Sequence, residues 1–189
     1  QSLLKDSHLF NSWIGWHYMN GFTNMTIYIN QLNGVDYLNE MFKVYIQKGI
    51  VSFITWFFPG PKYIKGHTTF SQVTCQMSCI LRSRSSYHWV GLHDVDEFFV
   101  APLYKNVKTI LNKYLNHKCS SLRICMQYFK LSNNSVIFDV DQVCGSCIFY
   151  SYKHIVKPKH IHFFFVHYAS ADGPILSLNS NELIMAHLK

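Results

Sequence analysis

Hydrophobic positions along this chain change period several times, and each change marks an element. Over residues 8–20, Trp13, Ile14, Trp16, His17 and Met19 recur at helical spacing and the run stops near Gly21, which predicts an amphipathic helix. Met25–Ile29 is a short β-rich run and predicts a strand. Residues 35–47 carry Leu38, Met41, Phe42 and Tyr45 at helical intervals and lead to Gly49, a second helix. Residues 50–58 are almost continuously apolar and are cut off by Pro59-Gly60-Pro61, as for a buried strand. A third helix over about residues 70–84 leads into the strand that opens with Trp89-Val90. Helix and strand thus alternate three times, the pattern of an α/β domain with a parallel sheet.

The second half changes character. Residues 107–114 predict a helix and Ser121–Phe129 a strand. Residues 138–140 and 148–152 follow as shorter strands, and residues 161–168 as one long apolar strand. Neither an internal repeat nor a linker divides the chain. The prediction is one α/β domain over residues 1–189, its later part folding over the carboxyl edge of the sheet.

Composition narrows the class. With 189 residues, 49% hydrophobic and 16% aromatic, the chain can bury a substantial core, which excludes a disordered or low-complexity protein. The formal charge of +7 favours an anionic partner. The basic residues are scattered, without an Arg-rich arm or zinc-finger spacing, so a phosphate-bearing small molecule fits better than nucleic acid. Six cysteines, at 75, 79, 119, 125, 144 and 147, suit either up to three disulfides or structural thiols. Asn24-Met25-Thr26 and Asn133-Asn134-Ser135 match the N-glycosylation pattern. Every uninterrupted apolar run is strand-sized, too short for a membrane span, so an anchor would lie outside these residues.

The densest chemistry is in Trp89-Val90-Gly91-Leu92-His93-Asp94-Val95-Asp96-Glu97-Phe98-Phe99. The chain has only 10 acidic residues, yet three of them fall within four positions. Asp-x-Asp at the end of an apolar strand places two hard oxygen ligands where open α/β sheets bind ligands. Mg²⁺ or Mn²⁺ bridging to substrate phosphates suits such a pair. A solvated acidic turn closing the strand suits the motif equally well.

The surrounding residues extend the pattern. Gln72, Cys79-Ile80-Leu81-Arg82, Trp89-Val90 and Asp94-Val95-Asp96-Glu97-Phe98 together resemble the central block of glycosyltransferase family 92. Trp13-Ile14-Gly15-Trp16-His17, the stretch from Gly21 to Tyr28, Lys153-His154-Ile155-Val156-Lys157-Pro158, Val166-His167 and Ala186-His187 resemble its flanking motifs in order. The resemblance implies a GT-A fold, with a Rossmann-like, mostly parallel central sheet flanked by helices and Asp-x-Asp at a strand's carboxyl end. It implies an inverting galactosyltransferase that takes UDP-galactose and Mn²⁺ (or Mg²⁺) and acts on glycans of glycoproteins or glycolipids, on the lumenal side of the Golgi membrane. Asp96 would then be the direct metal ligand. Asp94 would touch the ribose or the metal, and Glu97 would orient the site. His167 is a candidate third ligand, with His187 the runner-up. Arg82 and Arg84 are candidates for donor phosphate, and Asp172 for the base that deprotonates the acceptor.

This chain also departs from the family's pattern. Ser12 stands where a Glu is expected, Tyr28-Ile29-Asn30 lacks a carboxylate near the expected uridine side, and Leu188 replaces a Tyr. The first strand of the GT-A sheet is expected either before Gln1 or not at all. A divergent, non-catalytic relative that binds glycan or a partner protein is the alternative.

Overall fold

The structure is a computed structural model that describes residues 7–30, 35–56, 67–129, 143–144 and 152–188. Its helices are α1 (Ser7–Met19), α2 (Val35–Met41), α3 (Lys43–Gln47), α4 (His67–Ser83) and α5 (Val107–Lys113). Its strands are β1 (Met25–Ile29), β2 (Val51–Thr55), β3 (Val90–Leu92), β4 (Glu97–Val100), β5 (Ser121–Phe129), β6 (Val143–Cys144), β7 (Tyr152–Val156), β8 (Ile161–Phe165), β9 (Tyr168–Ala171), β10 (Ile175–Ser177) and β11 (Ile184–Leu188). The predicted strand at 138–140 and most of the one at 148–152 lie outside the described residues.

Helix α1 follows its pattern. Phe10, Trp13, Ile14 and His17, at i, i+3, i+4 and i+7, are its buried stripe. It ends in a Schellman motif, with Phe22 N–H donating to the His17 carbonyl and Gly21 N–H to that of Tyr18. Gly21 supplies the positive φ that this motif needs, and Gly49 does the same after α3. The helix expected over 35–47 is two helices. They break at Phe42, whose ring turns inward against Phe10 and Phe53.

β1 and β2 form a parallel pair of their own. The main sheet runs β3-β7-β5-β11-β4, with β6 and β10 also pairing with β5. It is mixed, not mostly parallel as expected: β7 is antiparallel to both β3 and β5, β4 is antiparallel to β11, and only the β5–β11 and β5–β10 pairings are parallel. Strand direction is set by long-range pairing, which the local apolar pattern does not encode. The single strand expected over 161–168 is also corrected. It is the β8–β9 hairpin, turned at Val166-His167 with Val166 at φ +29°.

The sheet curls. β3 and β4 lie at opposite ends of the strand order, yet only residues 93–96 join them, and Glu97 N–H donates to the Asp94 carbonyl at 3.1 Å. Flat, five strands would hold those edges about 19 Å apart. The edges therefore fold toward each other, and a Cβ added at Gly91 on β3 would sit 2.9 Å from the ring of Phe99 on β4.

Alternation assigns the faces. Phe99, Met185, Met126, Ile124, Leu122 and Ile155 share the enclosed face and form one core cluster with Val107 and Ile110 of α5. Phe98, Ala186 and Leu188 point the other way, into a second cluster with α1, β1 and β2. Leu92 and Val156 join Ile80, Ile161 and Phe164 in a third. Glu97, His187 and Tyr128 lie in register at one end of the enclosed face, and Lys153, on the same face, is the cross-strand partner of Ile124 and reaches Glu97 across the curl. A polar row thus closes one end of an apolar interior.

Two consequences can be measured. Gly91→Ala forces a methyl against the stacked rings of Phe99 and Phe22, and its unfolding free energy should fall by about 1–3 kcal/mol in urea titration. Burial also lowers His17 and His154 from 6.5 to about 4. The unfolded chain therefore binds protons that the fold does not, and stability is complete above pH 6.5 and declines as pH falls toward 4. By pH 5 each histidine should have removed about 2 kcal/mol, seen as a falling urea midpoint; a midpoint flat between pH 7 and 5 would contradict this.

Candidate functional site at the acidic turn

Residues Asp94 to Glu97 form a tight turn at the seam of the curled sheet. α1 secures it from one side: the Trp13 indole N–H is shared between the carbonyls of Asp94 (3.2 Å) and Glu97 (3.1 Å), and the Trp16 indole donates to the Phe99 carbonyl at 2.8 Å. β11 secures it from the other, with Leu188 N–H donating to the Asp96 carbonyl. The backbone of the turn is therefore held on both flanks.

The three carboxylates have different surroundings. Glu97 is fully buried. Its Oε2 accepts from the Asp94 N–H at 2.9 Å and lies 2.9 Å from Nζ of Lys153, itself only 2% exposed. Burial raises the Glu97 carboxyl above its ordinary range while the lysine pulls against that rise. Burial acts to lower Lys153, but the Glu97 and Asp94 carboxylates outweigh it and the ammonium stays charged. Asp94 has both oxygens engaged, Oδ1 by the Gln72 amide at 3.2 Å and Oδ2 by Lys153 at 3.3 Å. Asp96, part-exposed, meets His187 Nε2 at 3.2 Å. The His187 ring lies beside Tyr128, with Nδ1 3.7 Å from Glu97.

Behind the turn, His17 and His93 face each other Nε2 to Nε2 at 3.0 Å. His17 Nδ1 donates to the Trp13 carbonyl, so its Nε2 accepts and His93 supplies the proton. A second proton would set N–H against N–H. Desolvation holds both below the ordinary histidine range, so the pair is neutral and structural.

The other expected residues lie elsewhere. His167 is in the β8–β9 turn, its Nδ1 bonded to the Tyr152 carbonyl. Asp172 follows β9 and pairs with His162 at 2.7 Å, both exposed. Arg84 donates to the Ile161 carbonyl at 2.7 Å and ties α4 to β8. Arg82 is exposed near the end of α4, about 15 Å along the helix from Gln72. The structure therefore joins His187 to Asp96 and leaves His167 on a separate hairpin. Among the described residues, no three His, Cys, Asp or Glu side chains converge as a ready metal cage. Lys153 received no site role in the sequence analysis; its signal was its place at the head of the flanking motif Lys153-His154-Ile155-Val156-Lys157-Pro158.

Cys75, Cys79 and Cys119 are free thiols and Cys125 is disulfide-bonded, so three disulfides do not form. The Cys144 and Cys147 side chains, and Asn133, lie outside the described residues. No described helix is long and apolar enough to cross a membrane.

No curated protein matches this chain. The sequence profile of glycosyltransferase family 92, however, matches residues 4–189, which span every element described above. A family of this kind implies, in general, a nucleotide-sugar donor and a glycan acceptor. The chain belongs to glycosyltransferase family 92.

Proposed function

We propose that the domain transfers a hexose, galactose from UDP-galactose, to a hydroxyl of a glycan on a glycoprotein or glycolipid, and that the donor diphosphate binds over the acidic turn. The carrying observation is the inequality of the three carboxylates. Lys153 neutralises the buried Glu97 and, with Gln72, engages both oxygens of the half-exposed Asp94, while the part-exposed Asp96 has only His187 beside it among the described side chains.

A carboxylate and an imidazole are suitable donors for Mn²⁺ or Mg²⁺, which complete their shells with phosphate oxygens and water. Asp96 and His187 would hold such an ion, which when bound neutralises the diphosphate as it leaves. The Lys153 ammonium beneath Asp94 repels a second cation there. Asp94 therefore serves to orient the turn and to accept a hydrogen bond from the donor.

In the inverting reaction the acceptor oxygen bonds to the anomeric carbon as the bond to UDP breaks, and a carboxylate takes the acceptor's proton. Asp172, exposed and hydrogen-bonded to His162, is the acceptor-side candidate. The Cys125 disulfide favours an oxidising compartment and so a lumenal, Golgi setting, with any membrane anchor supplied from outside this chain.

Calorimetry with UDP and Mn²⁺ tests the assignment. Asp96→Asn should weaken Mn²⁺-dependent UDP binding by roughly tenfold or more while changing stability by under about 0.5 kcal/mol, because the residue lies at the surface. No UDP binding by the wild type at millimolar Mn²⁺ would overturn the transferase reading and leave a glycan-binding relative. Lys153→Met should instead cost about 3–5 kcal/mol of stability, because it leaves Glu97 buried without its cation. Adding Glu97→Gln to Lys153→Met should recover part of that loss.

A further inference from the structure

The Asn24-Met25-Thr26 motif plays no part in the transferase reading, yet the fold leaves it in a place where it can be used. An Asn-x-Thr pattern arises by chance and leads nowhere when the fold buries its asparagine. Asn24 is exposed, in the connection between α1 and β1 and one residue ahead of the strand. Its Nδ2 donates to the Gly49 carbonyl at 3.0 Å. The space around that carbonyl is open: a Cβ added at Gly49 would meet no described atom within 4 Å. A carboxamide nitrogen carries two hydrogens, so one can be replaced while the other stays on a partner. Exposure, room and a spare N–H thus coincide at one nitrogen.

The position is also clear of the acidic turn. β1 and β2 are parallel, with Met25 beside Val51 and Ile29 beside Thr55. Just past Thr55, the Trp56 indole donates to Thr74 of α4, and Gln72, two residues earlier on that helix, donates to Asp94. The carboxyl end of the β1–β2 pair and the acidic turn therefore meet the same turn of α4. Asn24 is at the amino end, about 17 Å back along the strand from Ile29. A bulky group on its side chain would not cover Asp94 or Asp96.

We propose that Asn24 is an N-glycosylation site, modified before β1 and β2 pair. The donor is an oligosaccharide carried on a lipid diphosphate. The Asn24 amide nitrogen bonds to the anomeric carbon of the first sugar as the bond from that carbon to the diphosphate breaks. The lipid diphosphate leaves with the electron pair, and the amide gives up one proton to a base of the modifying enzyme. This inference rests on the lumenal setting of the proposed function, and not on the transfer reaction. The order of events follows from Thr26, whose hydroxyl completes the motif and must be accessible for it to be read. In the fold that hydroxyl is part-buried and bonded to the Ser52 hydroxyl at 3.1 Å, across the β1–β2 pair. The folded protein therefore withholds the motif, and the sugar is attached while the chain is still open.

Peptide mapping of the full natural polypeptide made in eukaryotic cells tests this. The peptide containing Asn24 should carry a glycan that peptide N-glycosidase releases, converting the side chain to a carboxylate; mapping separates it from any sugar on Asn133. Asn24→Gln and Thr26→Ala should each abolish that glycan, whereas Thr26→Ser, which keeps the hydroxyl, should retain it. Microsomes should modify the chain during its synthesis and leave the same chain unmodified once folded; equal modification of both would overturn the order of events. Releasing the glycan should leave amide exchange at the acidic turn unchanged, and a change there would overturn its placement. A bare Asn24 in protein whose Cys125 is oxidised would overturn the proposal alone. A bare Asn24 with Cys125 reduced would overturn the lumenal setting as well. A glycan on Asn24 in a protein that binds no UDP would uphold the proposal while the transferase reading fell.

Discussion

The buried pair of Lys153 and Glu97 is the contact on which the acidic turn depends. The two residues come from β7 and β4, which are separated in the sheet by β5 and β11. Their 2.9 Å approach is possible only because the sheet curls, and once made it fixes the curl at that end. Two charges inside a protein are costly unless their remaining hydrogen bonds are satisfied. Here they are: Glu97 also takes the Asp94 N–H, and Lys153 also reaches the Asp94 carboxylate. The pair thus converts a fold-level feature, the closure of the sheet, into a local one, the orientation of Asp94.

The four-residue connection between β3 and β4 has the same origin. A longer loop would let the edges part, and Gly91 would no longer need to be bare beside Phe99. The stack of Phe22 on Phe99, with His93 and His17 behind it, fills the space that the curl leaves under the turn. That filling is aromatic and uncharged, so the charge of the site is confined to its outer row. Segregation of this kind keeps His17 and His93 neutral at neutral pH and leaves Asp94 and Asp96, with part of His187, as the groups that meet solvent.

Much of this was legible in the sequence wherever one residue type had one neighbour pattern to satisfy. α1, β1 and β5 were placed by period alone, because each buries a single stripe or alternating set. The Asp94–Glu97 cluster was legible because acidic residues are scarce. The β8–β9 hairpin was not, since its turn is Val166-His167, with no Gly, Asn or Asp to mark it, and Val166 takes a positive φ that the sequence gives no reason to expect. The mixed sheet was not legible either: β4 continues straight out of the turn, and only pairing with β11 reveals that it runs antiparallel. His167 was the expected third ligand and His187 the runner-up, both lone histidines near apolar residues. Register separates them: His187 is the cross-strand partner of Glu97, whereas His167 lies in the turn of a separate two-stranded sheet.

The inequality of the carboxylates also bears on why an Asp-x-Asp-Glu turn keeps three acids when one of them is buried. Lys153 and Glu97 pair with each other, so their charges cancel, and the Asp94 and Asp96 carboxylates remain beside His187. The one divalent cation of the proposed donor site would balance two carboxylates. The Lys153 ammonium, fixed 3.3 Å from Asp94, also biases where the balancing charge can sit, toward Asp96 and away from Asp94. A turn without the lysine would present a diffuse acidic patch. With it, the proposed cation would be drawn to the side where His187 stands.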